Sequence, residues 1–155
     1  MSVAREVLEA GKRKSVMIAT AESCTGGLVA AALTDIAGSS AVVERGFVTY
    51  SNAAKMQMLG VKAATLEAHG AVSEEVAVEM ALGAIEFSGA SLAVSITGIA
   101  GPGGSEHKPE GRVCFATAFN GDVRVETVEF GARGRREVRQ AACDHALRLL
   151  RDRLA

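Results

Sequence analysis

Apolar residues along this chain alternate between two patterns: short unbroken runs of strand length, and stripes spaced three or four residues apart. Residues 2–13 carry Val3, Val7, Leu8 and Ala10 at helical spacing, with Gly11 near the end. Ser15-Val-Met-Ile-Ala19 is an unbroken run and predicts a buried strand. Leu28–Leu33 is apolar and rich in helix formers, which predicts a helix to about Ile36, stopped by Ala37-Gly-Ser-Ser40. Ala41–Tyr50 has the β-formers of a second strand. Ser51-Asn52 then caps a short helix carrying Lys55, Met56 and Leu59, closed by Gly60.

After a helical or irregular link at 63–69, Ser73-Glu-Glu75 opens a helix with its acids in the first turn. Val76, Met80, Ala84 and Phe87 form its stripe, and Gly89 ends it. Leu92–Thr97 predicts a third strand. Gly98–Gly111 holds five Gly and both Pro of the chain and predicts a long loop. Arg112–Phe119 and Val123–Phe130 predict two strands joined at Asn120-Gly121, a strong hairpin signal. A last helix spans about 134–153, with Val138, Ala142, Ala146 and Leu149 on its apolar face.

Strands alternating with helices, then a late hairpin, predict one α/β domain over 1–155. Its sheet is mainly parallel with one antiparallel strand, and helices cover both faces. The functional loops of such a sheet gather at the carboxyl ends of the strands, here after Ala19, Tyr50 and Thr97.

Composition sharpens this picture in three places. The chain has no Trp and one Tyr, so its core must be built from aliphatic residues. Its net charge of −1 is unevenly placed, because residues 133–155 carry seven Arg and only three acids. That basic tail helix either meets a phosphate or has a solvated outer face. A nucleic-acid footprint would need a larger basic surplus and aromatic platforms, so nucleic acid is not expected as a partner. Cys24, Cys114 and Cys143 have no zinc spacing, and His69, His107 and His145 do not cluster with them, so no metal is expected. No leader is visible and no apolar run reaches the ~18 residues of a membrane span, so the expected location is the cytoplasm, with no membrane partner.

Three stretches carry candidate chemistry. Thr20-Ala-Glu-Ser-Cys-Thr-Gly-Gly27 lies between the first strand and the following helix. It sets Glu22, Ser23, Cys24 and Thr25 at a helix start, where free N–H groups suit an anion or a developing oxyanion. Gly26 and Gly27 leave the backbone open to a ligand. A capped turn is the plainer reading. Ser23 needs a base, and Lys55, one turn into its helix, is the candidate, with Tyr50 relaying a proton or holding the amine. Otherwise Lys55 is a surface lysine. Cys24 is a rival nucleophile, and Glu22 orients a sugar hydroxyl or a base, or caps the turn. Thr97-Gly-Ile-Ala-Gly-Pro-Gly-Gly-Ser105 lacks both the Walker A and the dinucleotide pattern, yet its N–H groups suit an anion nest. An Arg near the start of the last helix can fork onto a phosphate.

Ala21–Gly27, Gly46–Asn52 with Lys55, Gly70–Ala77 and Ser95–Gly104 together resemble the CinA C-terminal domain family, over about residues 3–151. The resemblance implies a three-layer α/β/α domain with a mixed, mostly parallel five-stranded sheet. It implies hydrolysis of nicotinamide mononucleotide to nicotinic acid mononucleotide and ammonia, in pyridine nucleotide recycling, without metal or cofactor. The family's nucleophile falls on Ser23, its Lys and Tyr on Lys55 and Tyr50, and its arginines on Arg135 and Arg139. In that reading the N–H groups of Thr25, Gly26 and Gly27 hold the oxyanion. Glu22, Thr97, Gly98, Gly101, Gly103, Gly104 and one of the two arginines hold the nucleotide. A homodimer is the expected assembly. The alternatives are a CinA-like binding or regulatory module linked to competence or DNA damage, and an amidohydrolase acting on a related nucleotide. The chain departs from the family pattern at Ala53, usually Glu, at Glu110 and Arg112, usually Val and Thr, and in the length of the Gly-rich loop.

Overall fold

The chain begins with helix α1, Val3–Lys14, whose first turn is capped by the Ser2 hydroxyl accepting from the Arg5 N–H. Ser15 ends it in the left-handed region. The computed structural model describes residues 1–155 and continues with β1, Ile18–Glu22; α2, Leu28–Thr34; and a 3-10 turn at Ser39–Ala41. Next come β2, Val43–Val48; α3, Asn52–Leu59; α4, Ala63–His69; and α5, Glu74–Glu86. Then follow β3, Leu92–Gly98; β4, Arg112–Phe119; β5, Asp122–Glu129; and α6, Arg135–Leu154.

The largest departure from the sequence reading is β1. It starts three residues later than the apolar run suggests and reaches Glu22, because parallel partners hold it there on both sides. Glu22 pairs with Val48 of β2 and with Ile96 of β3. What reads as an eight-residue turn is therefore a strand end followed by the short turn 23–27. The hairpin is as expected: Asn120 and Gly121 both have positive φ, at 52° and 76°.

The five strands lie in the order β2-β1-β3-β4-β5. Two of the pairings are parallel and two antiparallel, with β4 alone running against the others. Helices α1, α2 and α6 pack on one face against large side chains of the strands: Ile18, Leu92, Val94, Ile96, Val113 and Phe115. The other face is lined by small ones, Ala19, Ala21, Ala93, Ala116 and Ala118, which lets α5 sit close to the sheet. The outer strand β5 carries Asp122, Arg124, Glu126 and Glu129, charges that discourage edge pairing. No helix is long and apolar enough to cross a membrane. Because β1, β2 and β3 run parallel, their carboxyl ends bring the three candidate loops to one edge.

Candidate active site

Glu22 is the last residue of β1 and is fully buried. Its carboxylate accepts from the N–H groups of Gly27 at 3.2 Å, Val29 at 3.0 Å and Ala30 at 3.0 Å. It thus caps α2 from within the sheet and satisfies that helix's positive end. This corrects two expectations. Glu22 has no free oxygen for a ligand, and the Gly27 N–H is not free for an oxyanion. The Gly26 N–H is also taken, by the Ser23 carbonyl at 3.0 Å. The two glycines serve conformation instead, at φ of 58° and 108°. Directly after Ser23, the Thr25 N–H donates to no acceptor within the chain, and the Cys24 N–H to none beyond its own thiol.

Lys55 sits in the first turn of α3, whose start is capped by the Ser51 hydroxyl. Its side chain runs inward, leaving it 1% exposed against 7% for Ser23. The amine lies 3.2 Å from Ser23 Oγ and 3.2 Å from the Tyr50 carbonyl, and no carboxylate pairs with it. Burial therefore pushes the Lys55 pKa down, while the negative charge of Glu106 acts the other way, as would a thiolate at Cys24. A neutral amine can keep donating to the Tyr50 carbonyl while its lone pair accepts the Ser23 proton. Burial pushes the Cys24 thiol up to about 12, and its side chain packs into the core beside α2 and α6. A thiol held protonated in this way is a poor nucleophile near neutral pH.

Tyr50 does not act on Lys55 through its ring. It is 60% exposed, and its hydroxyl accepts from Arg135 at 2.6 Å, so the expected proton relay is corrected to a carbonyl contact. Arg135 also donates to the Gly101 carbonyl at 2.7 Å. Arg139, one turn further along α6, does something else. Its guanidinium donates to the carbonyls of Cys24 at 3.0 Å and Thr25 at 3.3 Å, clamping the turn behind Ser23. Of the two arginines, only Arg135 lines the cavity.

That cavity measures about 370 Å³ and opens between the ends of β1, β2 and β3. Ser23, Lys55, Thr97, Gly98, Gly101, Gly103 and Gly104 all line it. The Thr97 hydroxyl donates to the Ala71 carbonyl at 2.8 Å and keeps its lone pairs for a ligand. The anion-nest expectation is weakened at Gly103, whose N–H is taken by Glu110 at 2.6 Å. Lys108 ties the same loop to the α4–α5 link through the carbonyls of His69 and Val72. Glu110 thus braces the Gly-rich loop, and Arg112 pairs with Glu129 at 2.6 Å outside the cavity. Asn52 and Glu106 also line the cavity, and the sequence reading had not placed them there. Their only signal was position, on the same two loops as Tyr50 and Gly101. No group of three or more His, Cys, Asp or Glu side chains stands together.

A profile of the CinA C-terminal domain family matches residues 1–154. The chain is 54% identical to the nicotinamide-nucleotide amidohydrolase PncC of Escherichia coli strain K12, over 97% of this chain and 92% of that protein. It is 57% identical to a CinA-like protein of Chlorobium phaeobacteroides, over 80% of this chain but 30% of that longer protein. Among solved structures, the competence/damage inducible protein CihA of Agrobacterium tumefaciens superposes with a TM-score of 0.94. The two are 52% identical, over 98% of this chain and 93% of that one.

Proposed function

Since the chain belongs to the CinA C-terminal domain family, we propose that it hydrolyses the carboxamide of nicotinamide mononucleotide to nicotinic acid mononucleotide and ammonia. The substrate follows the PncC relative. The observation that carries the mechanism is the buried contact of Lys55 Nζ with Ser23 Oγ on the wall of a nucleotide-sized cavity.

Neutral Lys55 takes the Ser23 proton as Oγ attacks the carboxamide carbon. The N–H groups of Cys24 and Thr25 receive the oxyanion. Collapse of the tetrahedral intermediate breaks the C–N bond, and the Lys55 ammonium gives its proton to the departing ammonia. Lys55 then takes a proton from water, which attacks the acyl-enzyme. The second collapse frees the carboxylic acid and returns the proton to Ser23. Arg135 is fixed by Tyr50 and Gly101 and has further N–H groups to offer the 5′-phosphate. The N–H groups of Gly101 and Gly104 donate to no acceptor within the chain and lie on the same wall. In this reading Thr97 accepts from the ribose.

Ammonia release from nicotinamide mononucleotide by the purified protein tests the reading, with Ser23→Ala as the control. An amide panel with and without a 5′-phosphate separates this substrate from related nucleotides. If no amide in the panel releases ammonia, the binding-module reading takes its place.

A further inference from the structure

Three charged side chains line the cavity: Lys55, Arg135 and Glu106. The first two have partners and roles already described. Glu106 has neither, because its carboxylate accepts no hydrogen bond and makes no ion pair within the chain. Other carboxylates near the site are engaged: Glu22 caps α2, and Glu110 holds Gly103.

The placement of Glu106 is built. It and His107 form the tip of a tight turn with φ of 52° and 63°, in the left-handed region that residues with a Cβ seldom occupy. Paired bonds between Ser105 and Lys108, at 3.0 and 2.8 Å, close the turn. The bonds from Lys108 to the carbonyls of His69 and Val72 pin its base. An exposed carboxylate, one oxygen of which lies against Gly70, is thereby held at the rim of the cavity by a constrained backbone. Its charge also reaches Lys55, where it favours the ammonium form. For a site that needs Lys55 neutral, a lone carboxylate there is adverse unless the ligand supplies a positive charge to offset it.

We infer that Glu106 is a specificity-determining residue that receives the positive charge of an N-glycosylated pyridinium ring. The cavity then matches a ligand that is cationic at its base and anionic at its phosphate, with Glu106 and Arg135 reading the two charges. This rests on the nucleotide reading above, whose substrate already carries a pyridinium ring, and deepens it by naming the residue that reads that ring's charge.

The test uses two ligands that differ in ring charge alone among their binding groups: nicotinamide mononucleotide and its 1,4-dihydro form. Both keep the carboxamide, ribose and phosphate. Binding is measured by calorimetry in Ser23→Ala and in Ser23→Ala/Glu106→Gln, and ammonia release from nicotinamide mononucleotide is measured in the unaltered protein. The expected result is that Glu106→Gln weakens the pyridinium ligand about three- to tenfold, the effect shrinking with added salt. The dihydro ligand should bind with unchanged affinity. Equal weakening of both ligands, or none of either, overturns the role of Glu106 and leaves the amidase reading standing. No ammonia release together with no binding of either ligand overturns both.

Discussion

At one end of the cavity Lys55 is 1% exposed and Ser23 7%. At the other end Tyr50 is 60% exposed, and Arg135 bonds to it and to Gly101 at the surface. The inner end is closed and prearranged: the Glu22 cap, the Arg139 clamp and the Tyr50 carbonyl hold every part before a ligand arrives. The outer end is solvated, and its arginine is held by two contacts while other donors stay available. The difference follows from what each end must do. Desolvation favours the neutral form of a lysine, whereas a group proposed to bind phosphate must stay open to a charged ligand arriving from water. Arg135 and Arg139 show the contrast within a single turn of α6. One faces the opening, and the other is spent on the carbonyls behind Ser23.

The sharpest break in this comparison is at its inner end. Ser23→Ala should abolish turnover while leaving the melting temperature almost unchanged, and Cys24→Ala should keep most activity, given a thiol pushed up to about 12. A dead Cys24→Ala with an active Ser23→Ala would reverse the assignment.

Lys55→Met should lose several powers of ten in kcat and still bind product, because the amine works on a proton and not on the phosphate. The unaltered enzyme should gain rate with pH through an ionisation below the ordinary lysine value of ~10.4. The same depression has a signed effect on stability. The unfolded chain binds the Lys55 proton more tightly than the folded one, so stability rises with pH between the folded ionisation and the ordinary value. It falls as pH drops through the folded ionisation. Removing the amine should therefore stabilise the fold near neutral pH by about 0.5–2 kcal/mol, measured by denaturant unfolding. A wild-type rate in this variant would make Lys55 a bystander.

The arginines should separate next. Arg135→Ala should raise KM about 10- to 150-fold with little change in kcat, the loss of one charged hydrogen bond of roughly 1.5–3 kcal/mol. Arg139→Ala should instead lower stability by about 1–3 kcal/mol and reduce kcat, since two turn carbonyls lose their donor. Identical kinetic signatures for the two variants would erase the inner and outer division. The smallest effect belongs to the loop brace. Glu110→Val should change KM by less than about fivefold, in line with the loss of one exposed hydrogen bond.

Much of the fold was legible in local pattern. The Asn120-Gly121 turn, the Ser51 and Ser73 caps and the Val76, Met80 and Ala84 stripe of α5 each depend on residues within a few positions of one another, whereas Phe87 falls after the helix and is exposed. The start of β1 was not legible, because the run from Ser15 is apolar whether it lies in the connector or in the strand. Its true limits come from pairing with β2 and β3 on both sides. Within the site, Ser23, Lys55 and the Gly-rich loop stood out as residue types at strand ends. The partners of Glu22, Tyr50 and Arg139 did not. In sequence Glu22 stays open between orienting a ligand and capping the turn, and only the start of α2 directly above it decides for the cap.

The sequence by itself determined the elements, their order and the three loops that could carry chemistry, because periodicity, caps and turn residues act over one or two turns of chain. Tertiary structure decided which polar group meets which. Lys55 reaches Ser23 across 32 residues, Arg135 reaches Tyr50 across 85, and Arg139 reaches the Cys24 carbonyl across 115. Contacts at such separations leave no periodic trace in the chain. They arise only when parallel strands carry distant loops to one edge of the sheet, and there burial pushes the pKa of Lys55 down.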